Sequence, residues 1–276
     1  DLEIDNKKIV VIGSGATAMT IVPNVAQQAS KVTMLQRSPT YVVARPDQDA
    51  IANFLRKWLP SKLAYSITRL KNTWLQSFMY KRMRAKPEEA KRNLIGMTRA
   101  ALSKEFDVKK HFTPSYYPWD QRLCLLPNGD LYESINQGRV EVITDTIDRV
   151  EETGILVSSG DFIEADIIVT ATGLNMEFLG GAGVSVDGQK LSMPNLVSYK
   201  GMMYAEVPNF IQTFGYINAS WTLRADLTSE YACRLLNAMD KKGVKQCMPR
   251  IQKEDLDMSL EDWVQDFSAG YMRRTM

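Results

Sequence analysis

A glycine-containing stretch near the start of the chain, KKIVVIGSGATAMTIVP (residues 7–23), constrains the fold more than any other feature. Residues 9–12 are an unbroken apolar run, which is typical of a strand that is buried on both faces. Residues 16–28 follow with helical character, and KVTMLQR (residues 31–37) predicts a second strand. The order and length of these segments predict a βαβ unit.

The turn between the first strand and the helix fits the pattern G-x-G-x-x-G/A. Gly13 permits a tight turn, Gly15 lets the backbone approach a pyrophosphate, and Ala18 lets the helix pack closely on the strand. The free N–H groups at the helix N-terminus favour negative charge. The strand–turn–helix context predicts dinucleotide binding, and the alternative is a structural turn without a ligand. The predicted binding residues are Gly13, Ser14, Gly15, Ala16, Thr17 and Ala18.

The end of the second strand discriminates between the two nicotinamide cofactors. An NAD site would place Asp or Glu there to accept from the ribose 2′-hydroxyl. This chain has Gln36, Arg37 and Ser38 instead. Arg37 can pair with a 2′-phosphate and Ser38 can donate a hydroxyl to it, so these residues favour NADP(H) over NAD(H). The alternative is a solvated arginine at a strand end.

Composition excludes several other classes of function. A net charge of +2 predicts neither a nucleic-acid nor a membrane partner. The three cysteines form no C-x-x-C pair, and no apolar run approaches the roughly 18 residues of a membrane span, so we expect a cytoplasmic protein without disulfides. The single histidine, His111, lies in a chain without metal-ligand spacing or a G-x-S-x-G motif, so we expect a structural histidine and no metal.

Later segments continue an α/β pattern. We expect a helix over residues 130–137 and a strand over 140–143. A β-hairpin then precedes a buried strand over 165–170, and a further strand covers 209–214. A late amphipathic helix ends at Gly243, which is a plausible C-cap.

Residues 51–104 interrupt this pattern with apolar residues at helical spacing, broken at Pro60 and Pro87. We expect two or three helices there, as an insertion over about 48–105. Residues 51–86 contain nine basic and no acidic residues, with aromatic residues interleaved. They could lie on an anionic membrane or bind nucleic acid, although no known nucleic-acid module surrounds them and we expect no such partner. We favour a third interpretation, in which the aromatic residues pack on the domain and the lysines are solvated.

Five segments occur in an order that resembles a known family: VVIGSGATA, MLQRSPTYV, HFTPSYYPWDQRLCLLPNGDLY, IIVTATGLN and GYINASWTLRADL. The chain is similar to class B flavoprotein monooxygenases, in particular the Baeyer–Villiger subgroup that contains the ethionamide-activating monooxygenase. The resemblance covers nearly all 276 residues. It implies an α/β protein with two dinucleotide-binding domains. Residues 1–170 would be a Rossmann-type NADP-binding domain with the helical insertion, and residues 171–276 would be the returning part of an FAD-binding domain.

The resemblance also implies cofactors and site residues. NADPH and FAD would act with molecular oxygen on a small molecule, either a ketone or a thioether- or thioamide-like compound. Residues 171–173 (ATG) match the strand that returns to the FAD domain, and residues 218–220 match the start of a helix that points at the flavin; the latter could equally be a simple N-cap. Residues 119–122 match a loop near the nicotinamide or the substrate, or they simply stiffen a loop. The residues in these three segments are Ala171, Thr172 and Gly173; Asn218, Ala219 and Ser220; and Trp119, Asp120, Gln121 and Arg122. In the structural alternative for the last segment, Asp120 and Arg122 could pair with each other.

The sequence departs from the family pattern in three places. It lacks the glycine motif for FAD and the fingerprint F-x-G-x-x-x-H-x-x-x-W, so we expect a fragment that is inactive by itself. Residues 174–189 contain no arginine, although Baeyer–Villiger enzymes often carry one there. That departure favours oxidation of sulfur or nitrogen over insertion beside a ketone. Two alternatives stay open: a non-catalytic NADPH-binding module, and another NADPH-dependent flavoprotein reductase, which would need a redox cysteine pair.

Overall fold

The computed structural model describes residues 2–121, 123–216 and 219–259, and these residues divide into two compact units. The first unit runs to Asn175, and the second begins at Met176. Two of the predicted site residues, Arg122 and Asn218, lie outside the described residues.

The first unit alternates strands and helices, so the predicted α/β class is confirmed. Its elements are, in chain order, β1 (Lys8–Ile12), α1 (Ala16–Val25), β2 (Lys31–Gln36), β3 (Val42–Arg45), α2 (Ala50–Trp58), α3 (Ser61–Ala85), α4 (Pro87–Ala101), α5 (Val108–His111), β4 (Cys124–Pro127), α6 (Asp130–Asn136), β5 (Val140–Thr144), β6 (Ile147–Glu151), β7 (Gly154–Val157), β8 (Phe162–Glu164) and β9 (Ile167–Thr170).

Four parallel strands form the central sheet of this unit, in the order β5–β2–β1–β9. Ile9 and Val11 of β1 join an apolar cluster with residues of α1 and α6 on one face. Val10 faces the other side, where it packs with Ile155 from the antiparallel sheet β6–β7–β8. The prediction that this strand is buried on both faces is therefore confirmed. The strand expected over residues 165–170 is present as β9, but the expected burial is wrong: β9 lies at the edge of this sheet, and its residues are half-buried or exposed.

The helical insertion consists of α2, α3 and α4, which are separated at Pro60 and Pro87 as the sequence predicts. Asp49 caps α2 by accepting a hydrogen bond from the Ala52 N–H, and it pairs with Lys71 of α3 at 2.5 Å. The hydrogen bond with Lys71 lowers the pKa of Asp49 to about 2. This contact ties the two helices together at the start of α2.

The favoured interpretation of the aromatic residues in this insertion is wrong. The only buried residues of α2 and α3 are Ala52 and Ala64, because short side chains make the close helix contacts. The aromatic side chains face solvent, with the exception of Tyr80, which is half-buried. The exposed ones are Phe54, Trp58, Tyr65, Trp74 and Phe78.

The second unit has short strands and one long helix. The predicted late helix is confirmed, and it ends at Gly243 with φ +64. The strand predicted over residues 209–214 is absent: Asn209 has a left-handed φ of +55 and bonds to Cys247, which interrupts any ladder. No helix in the described residues is long and apolar enough to cross a membrane. The elements are β10 (Ser185–Val186), β11 (Gln189–Lys190), β12 (Ser198–Tyr199), β13 (Met203–Tyr204) and α7 (Trp221–Lys242).

Candidate dinucleotide-binding site

The strand order places a crevice at the carboxyl end of β1. The chain leaves β1 towards β2 and β5 on one side, and β9 returns on the other side. Ligands of open α/β sheets bind where the strand order reverses in this way. The residues that follow β1, β2 and β9 therefore surround one place at the sheet edge.

Gly13 lies at the centre of this crevice. Its N–H donates to the Leu35 carbonyl at 2.8 Å, while the Ala171 N–H donates to the Ile12 carbonyl at 2.8 Å. Gly13 has φ +137, and a Cβ on it would lie 2.3 Å from the Ala171 carbonyl oxygen. Only glycine fits this position, so the tight turn expected there is present. Ala171 is buried against the turn, and Thr172 and Gly173 are exposed beyond it.

The start of α1 is open to solvent. Gly15 is the N-cap residue, and nothing lies within 4 Å of the position that its Cβ would occupy. No side chain caps the helix, and Ala16 and Thr17 are exposed. Ala18 is fully buried and packs under the turn. The uncapped N–H groups and the helix dipole can therefore receive an anion, and a Cβ at residue 15 would intrude on it.

The end of β2 lies beside this turn. The Ser14 hydroxyl donates to the Ser38 carbonyl at 3.0 Å, which joins the two loops. Arg37 and Ser38 are both exposed, and among the described residues no carboxylate lies within ion-pair distance of Arg37. The edge of the crevice therefore carries a positive charge that can meet a phosphate.

A buried polar network below Arg37 was missed by the sequence reasoning. Gln36 is 1% exposed, and its amide donates to the His111 carbonyl at 2.7 Å and to the Thr144 hydroxyl at 2.9 Å. His111 Nδ1 lies 2.8 Å from the same hydroxyl, and burial lowers the pKa of His111. Oε1 of Gln36 has no hydrogen-bond partner among the described residues. A glutamine that directly follows Met34 and Leu35 at the end of a predicted strand is the signal that could have indicated this network.

The loop before β4, which contains Tyr116 and residues 119–121, packs on the segment that follows Arg37 and Ser38. The Tyr41 hydroxyl donates to the Tyr116 carbonyl at 2.6 Å, and the two rings meet edge to face. Burial raises the pKa of Tyr41 and of Tyr116. The loop that holds the predicted residues 119–121 is therefore anchored next to the predicted cofactor segment.

Helix α3 holds the other side of this loop. Trp119 has a left-handed φ of +75, which is rare for a bulky residue. Its indole Nε1 donates to the Met83 sulfur at 3.1 Å, and its ring meets Tyr80 edge to face. The Asp120 carboxylate accepts from Arg84 at 2.7 Å. Gln121 is half-buried and forms an isolated bridge with Pro118.

Ala219 and Ser220 lie in the second unit, directly before α7. Ser220 is the N-cap residue, but its side chain makes no capping hydrogen bond. Its hydroxyl pairs instead with the Thr222 hydroxyl at 2.8 Å. The alternative of a simple N-cap is therefore met by the position of Ser220 but not by its side chain, and Asn218 lies outside the described residues.

Comparison with known proteins gives these features a context. No family model matches the chain. Over its whole length it is 48% identical to the FAD-containing monooxygenase EthA from Mycobacterium tuberculosis, of which it covers 56%. Over its whole length, the chain is therefore similar to FAD-containing monooxygenases. It is also 44% identical to the probable FAD-binding monooxygenase AlmA from Acinetobacter baylyi, over 99% of the chain and 55% of that protein. The chain spans about half the length of the curated monooxygenases that it matches.

Solved structures of monooxygenases share the fold at low sequence identity. An oxidized steroid monooxygenase bound to NADP superposes with a TM-score of 0.68 at 20% identity, covering 88% of this chain and 54% of that one. OTEMO in complex with FAD and NADP gives a TM-score of 0.69 at 18% identity, covering 89% and 54%. The predicted α/β fold class is therefore confirmed by the fold that the chain shares with these structures.

Proposed function

We propose that this chain is the NADPH-binding part of an NADPH- and FAD-dependent monooxygenase. Residues 1–170 would form the NADP-binding domain, with the helical insertion at about 48–105, and residues 171–276 would contribute to the FAD-binding domain. The observation that carries the proposal is the junction of the glycine turn with Arg37 and Ser38 at the carboxyl end of β1. The name of the EthA relative and the NADP in the steroid monooxygenase structure support it.

The residues of the chain have distinct roles in this proposal. The uncapped N–H groups at the start of α1 bind the pyrophosphate. Arg37 and Ser38 bind the 2′-phosphate through charge-assisted hydrogen bonds. When bound, NADPH supplies the hydride that reduces the flavin, and the reduced flavin uses molecular oxygen to oxidise the substrate.

The flavin side of the proposal concerns the second unit and the ATG segment. Thr172 and Gly173 are exposed at the end of β9, where a nucleotide can approach the backbone. The N-terminus of α7 at Ala219 and Ser220 has no side-chain cap, so its N–H groups can stabilise negative charge on a flavin.

We infer that the substrate is a small molecule with an oxidisable sulfur or nitrogen, in preference to a ketone. The support is the absence of arginine from residues 174–189. A cation near reduced flavin and oxygen would stabilise developing negative charge, and its loss should weaken the insertion beside a carbonyl more than attack by a soft nucleophile.

Substitution of Arg37 tests the cofactor proposal. Arg37→Ala should weaken NADPH binding by roughly 10- to 100-fold, since hydrogen bonds to charged groups contribute about 1.5–3 kcal/mol. NADH binding should stay unchanged because NADH has no 2′-phosphate. Both constants can be measured by nicotinamide fluorescence, with Arg99→Ala at the exposed end of α4 as the matched control. An unchanged preference for NADPH in Arg37→Ala would overturn the assignment.

We also propose that residues 51–86 make a peripheral membrane contact. Large apolar side chains of α2 and α3 are exposed, and residues 51–86, which include most of these helices, have basic but no acidic residues. These two observations support the proposed contact. Binding of the chain to lipid vesicles in a sedimentation assay tests this contact.

A further inference from the structure

Helix α3 presents a stripe of apolar side chains to solvent. Five large residues recur at spacings of three or four, which places them on one side of the helix. They are 39 to 74% exposed. The rings of Trp74 and Phe78 stack on each other at 5.4 Å. A contiguous apolar surface of this kind marks an interaction site. The stripe consists of Leu63, Ile67, Leu70, Trp74 and Phe78.

The basic residues of the hairpin α2–α3 differ in whether they form ion pairs. Towards the C-terminal half of α3 they are neutralised by carboxylates. The ion pairs are Lys71 with Asp49, Arg82 and Lys86 with Glu89, and Arg84 with Asp120.

The turn end of the hairpin carries uncompensated positive charge. Arg56, Lys57 and Lys62 are exposed there, and no carboxylate among the described residues lies within ion-pair distance of them. Trp58 directly follows Lys57 in sequence and is 67% exposed, and the exposed Leu63 directly follows Lys62. Positive charge therefore adjoins the beginning of the apolar stripe.

We propose that α3 is the lipid-binding element, lying flat on an anionic bilayer surface with its stripe inserted at the boundary between headgroups and acyl chains. This inference rests on the proposed membrane contact of residues 51–86. The 25-residue helix is about 37 Å long at 1.5 Å per residue. It lies along the surface because its opposite side is held on the domain, where Met83 contacts Trp119. Arg56, Lys57 and Lys62 bind the lipid phosphates, which makes the binding depend on anionic lipid.

Two other occupants of this surface fit the observations less well. Nucleic acid is bound by rows of cations that neutralise successive phosphates, whereas four of the nine cations here are already paired. A second copy of the chain that pairs stripe to stripe would cover the apolar surface, but this pairing by itself supplies no anions for the cations at the turn. An anionic lipid surface satisfies the stripe and the cations at once.

Two sets of substitutions separate the stripe from the charges. Leu70→Gln with Trp74→Gln removes apolar surface and keeps helix-forming residues. Lys57→Gln with Lys62→Gln removes the charge at the turn. The matched controls on α7 are Leu236→Gln, an exposed leucine, and Lys241→Gln with Lys242→Gln. The 276-residue chain and each variant are sedimented with vesicles of phosphatidylcholine alone or mixed with phosphatidylglycerol, at low and high salt.

We expect the unsubstituted chain to bind the mixed vesicles at low salt. The stripe variant should bind them at least about tenfold less tightly, and the charge variant should lose the preference for anionic lipid. Quenching of tryptophan fluorescence by brominated lipid should decrease when Trp74 is replaced. Both control variants should bind as the unsubstituted chain does, and circular dichroism should show equal helix content in all.

Failure can occur at two separable levels. If the unsubstituted chain binds no vesicles at any salt, the proposed membrane contact itself is overturned. If it binds vesicles and the stripe variant binds equally well, the contact stands and the role of α3 is overturned. A chain that self-associates in solution, and stops doing so in the stripe variant, would identify the stripe as a protein–protein surface and would also overturn the inference.

Discussion

Gly13 and Gly15 belong to one turn, but their surroundings predict very different losses of stability from the same substitution to alanine. Gly13→Ala would place a Cβ 2.3 Å from the Ala171 carbonyl oxygen at a φ of +137. We expect a loss of roughly 2–5 kcal/mol in the free energy of unfolding, from backbone strain and overpacking. Gly15→Ala meets nothing within 4 Å, so it should cost less than about 1 kcal/mol, from the poorer N-cap.

The two variants should also differ in cofactor binding. Gly15→Ala should remain folded and bind NADPH weakly, because its Cβ occupies the space that the pyrophosphate needs. Urea unfolding measures the stability of each variant, and nicotinamide fluorescence measures binding. A stable Gly13→Ala variant would contradict the geometry of the turn, and a Gly15→Ala variant with full affinity would place the pyrophosphate elsewhere.

The pH dependence of stability near neutral pH can be assigned to His111, because it is the only histidine in the chain. Burial lowers its pKa in the folded state from the ordinary value of 6.5. As the pH falls below 6.5, the unfolded chain takes up a proton before the folded chain does, so the stability falls, and this loss levels off below the folded pKa. The slope is at most about 1.4 kcal/mol per pH unit for one group.

The free energy of unfolding in urea should therefore be lower at about pH 5.5 than at about pH 7.5. His111→Asn keeps a polar atom near Thr144 but cannot titrate, so its stability should not change between these two pH values. The described carboxyl groups with shifted pKa values are all lowered, and they stay ionised throughout this window. An equal pH dependence in the variant would exclude His111 as its source.

At the level of elements, the sequence predicted what local chemistry determines. The apolar run of β1, the glycine turn and the start of α1 each follow from side-chain size and backbone freedom. Pro60 and Pro87 divided the helical insertion correctly, since proline cannot continue a helix. The end of α7 was predicted for a similar reason, because Gly243 adopts the left-handed C-cap conformation without the steric cost of a side chain.

The errors arose where partners distant in sequence decide the outcome. The strand expected over residues 209–214 has the right composition, but Asn209 takes a left-handed conformation and bonds to Cys247. The aromatic residues of α3 have helical spacing, yet spacing does not say whether a face meets the core or solvent. Periodicity also could not show that Gln36, Thr144 and His111, far apart in sequence, meet beneath Arg37.

At the level of the whole molecule, the described residues of the two units differ greatly in the size of their apolar clusters. The main cluster of the first unit contains 20 buried residues, whereas the described cluster of the second contains three. Residues Gly13 to Ser38, which carry the proposed NADPH site, all belong to the first unit. A domain with a large core and a complete set of nucleotide-binding residues should fold and bind by itself.

Residues 1–175 expressed alone should therefore be folded and bind NADPH with the same Kd as the 276-residue chain. A ligand that binds only the folded state raises its stability by about 2.7 kcal/mol at 100 times Kd, and the increase should be equal for both proteins. In the longer chain, this increase should shift only the unfolding transition of the first unit, which calorimetry can follow. A weaker Kd for residues 1–175 would mean that the second unit supplies part of the NADPH site, and the division of cofactors between the two units would then be wrong.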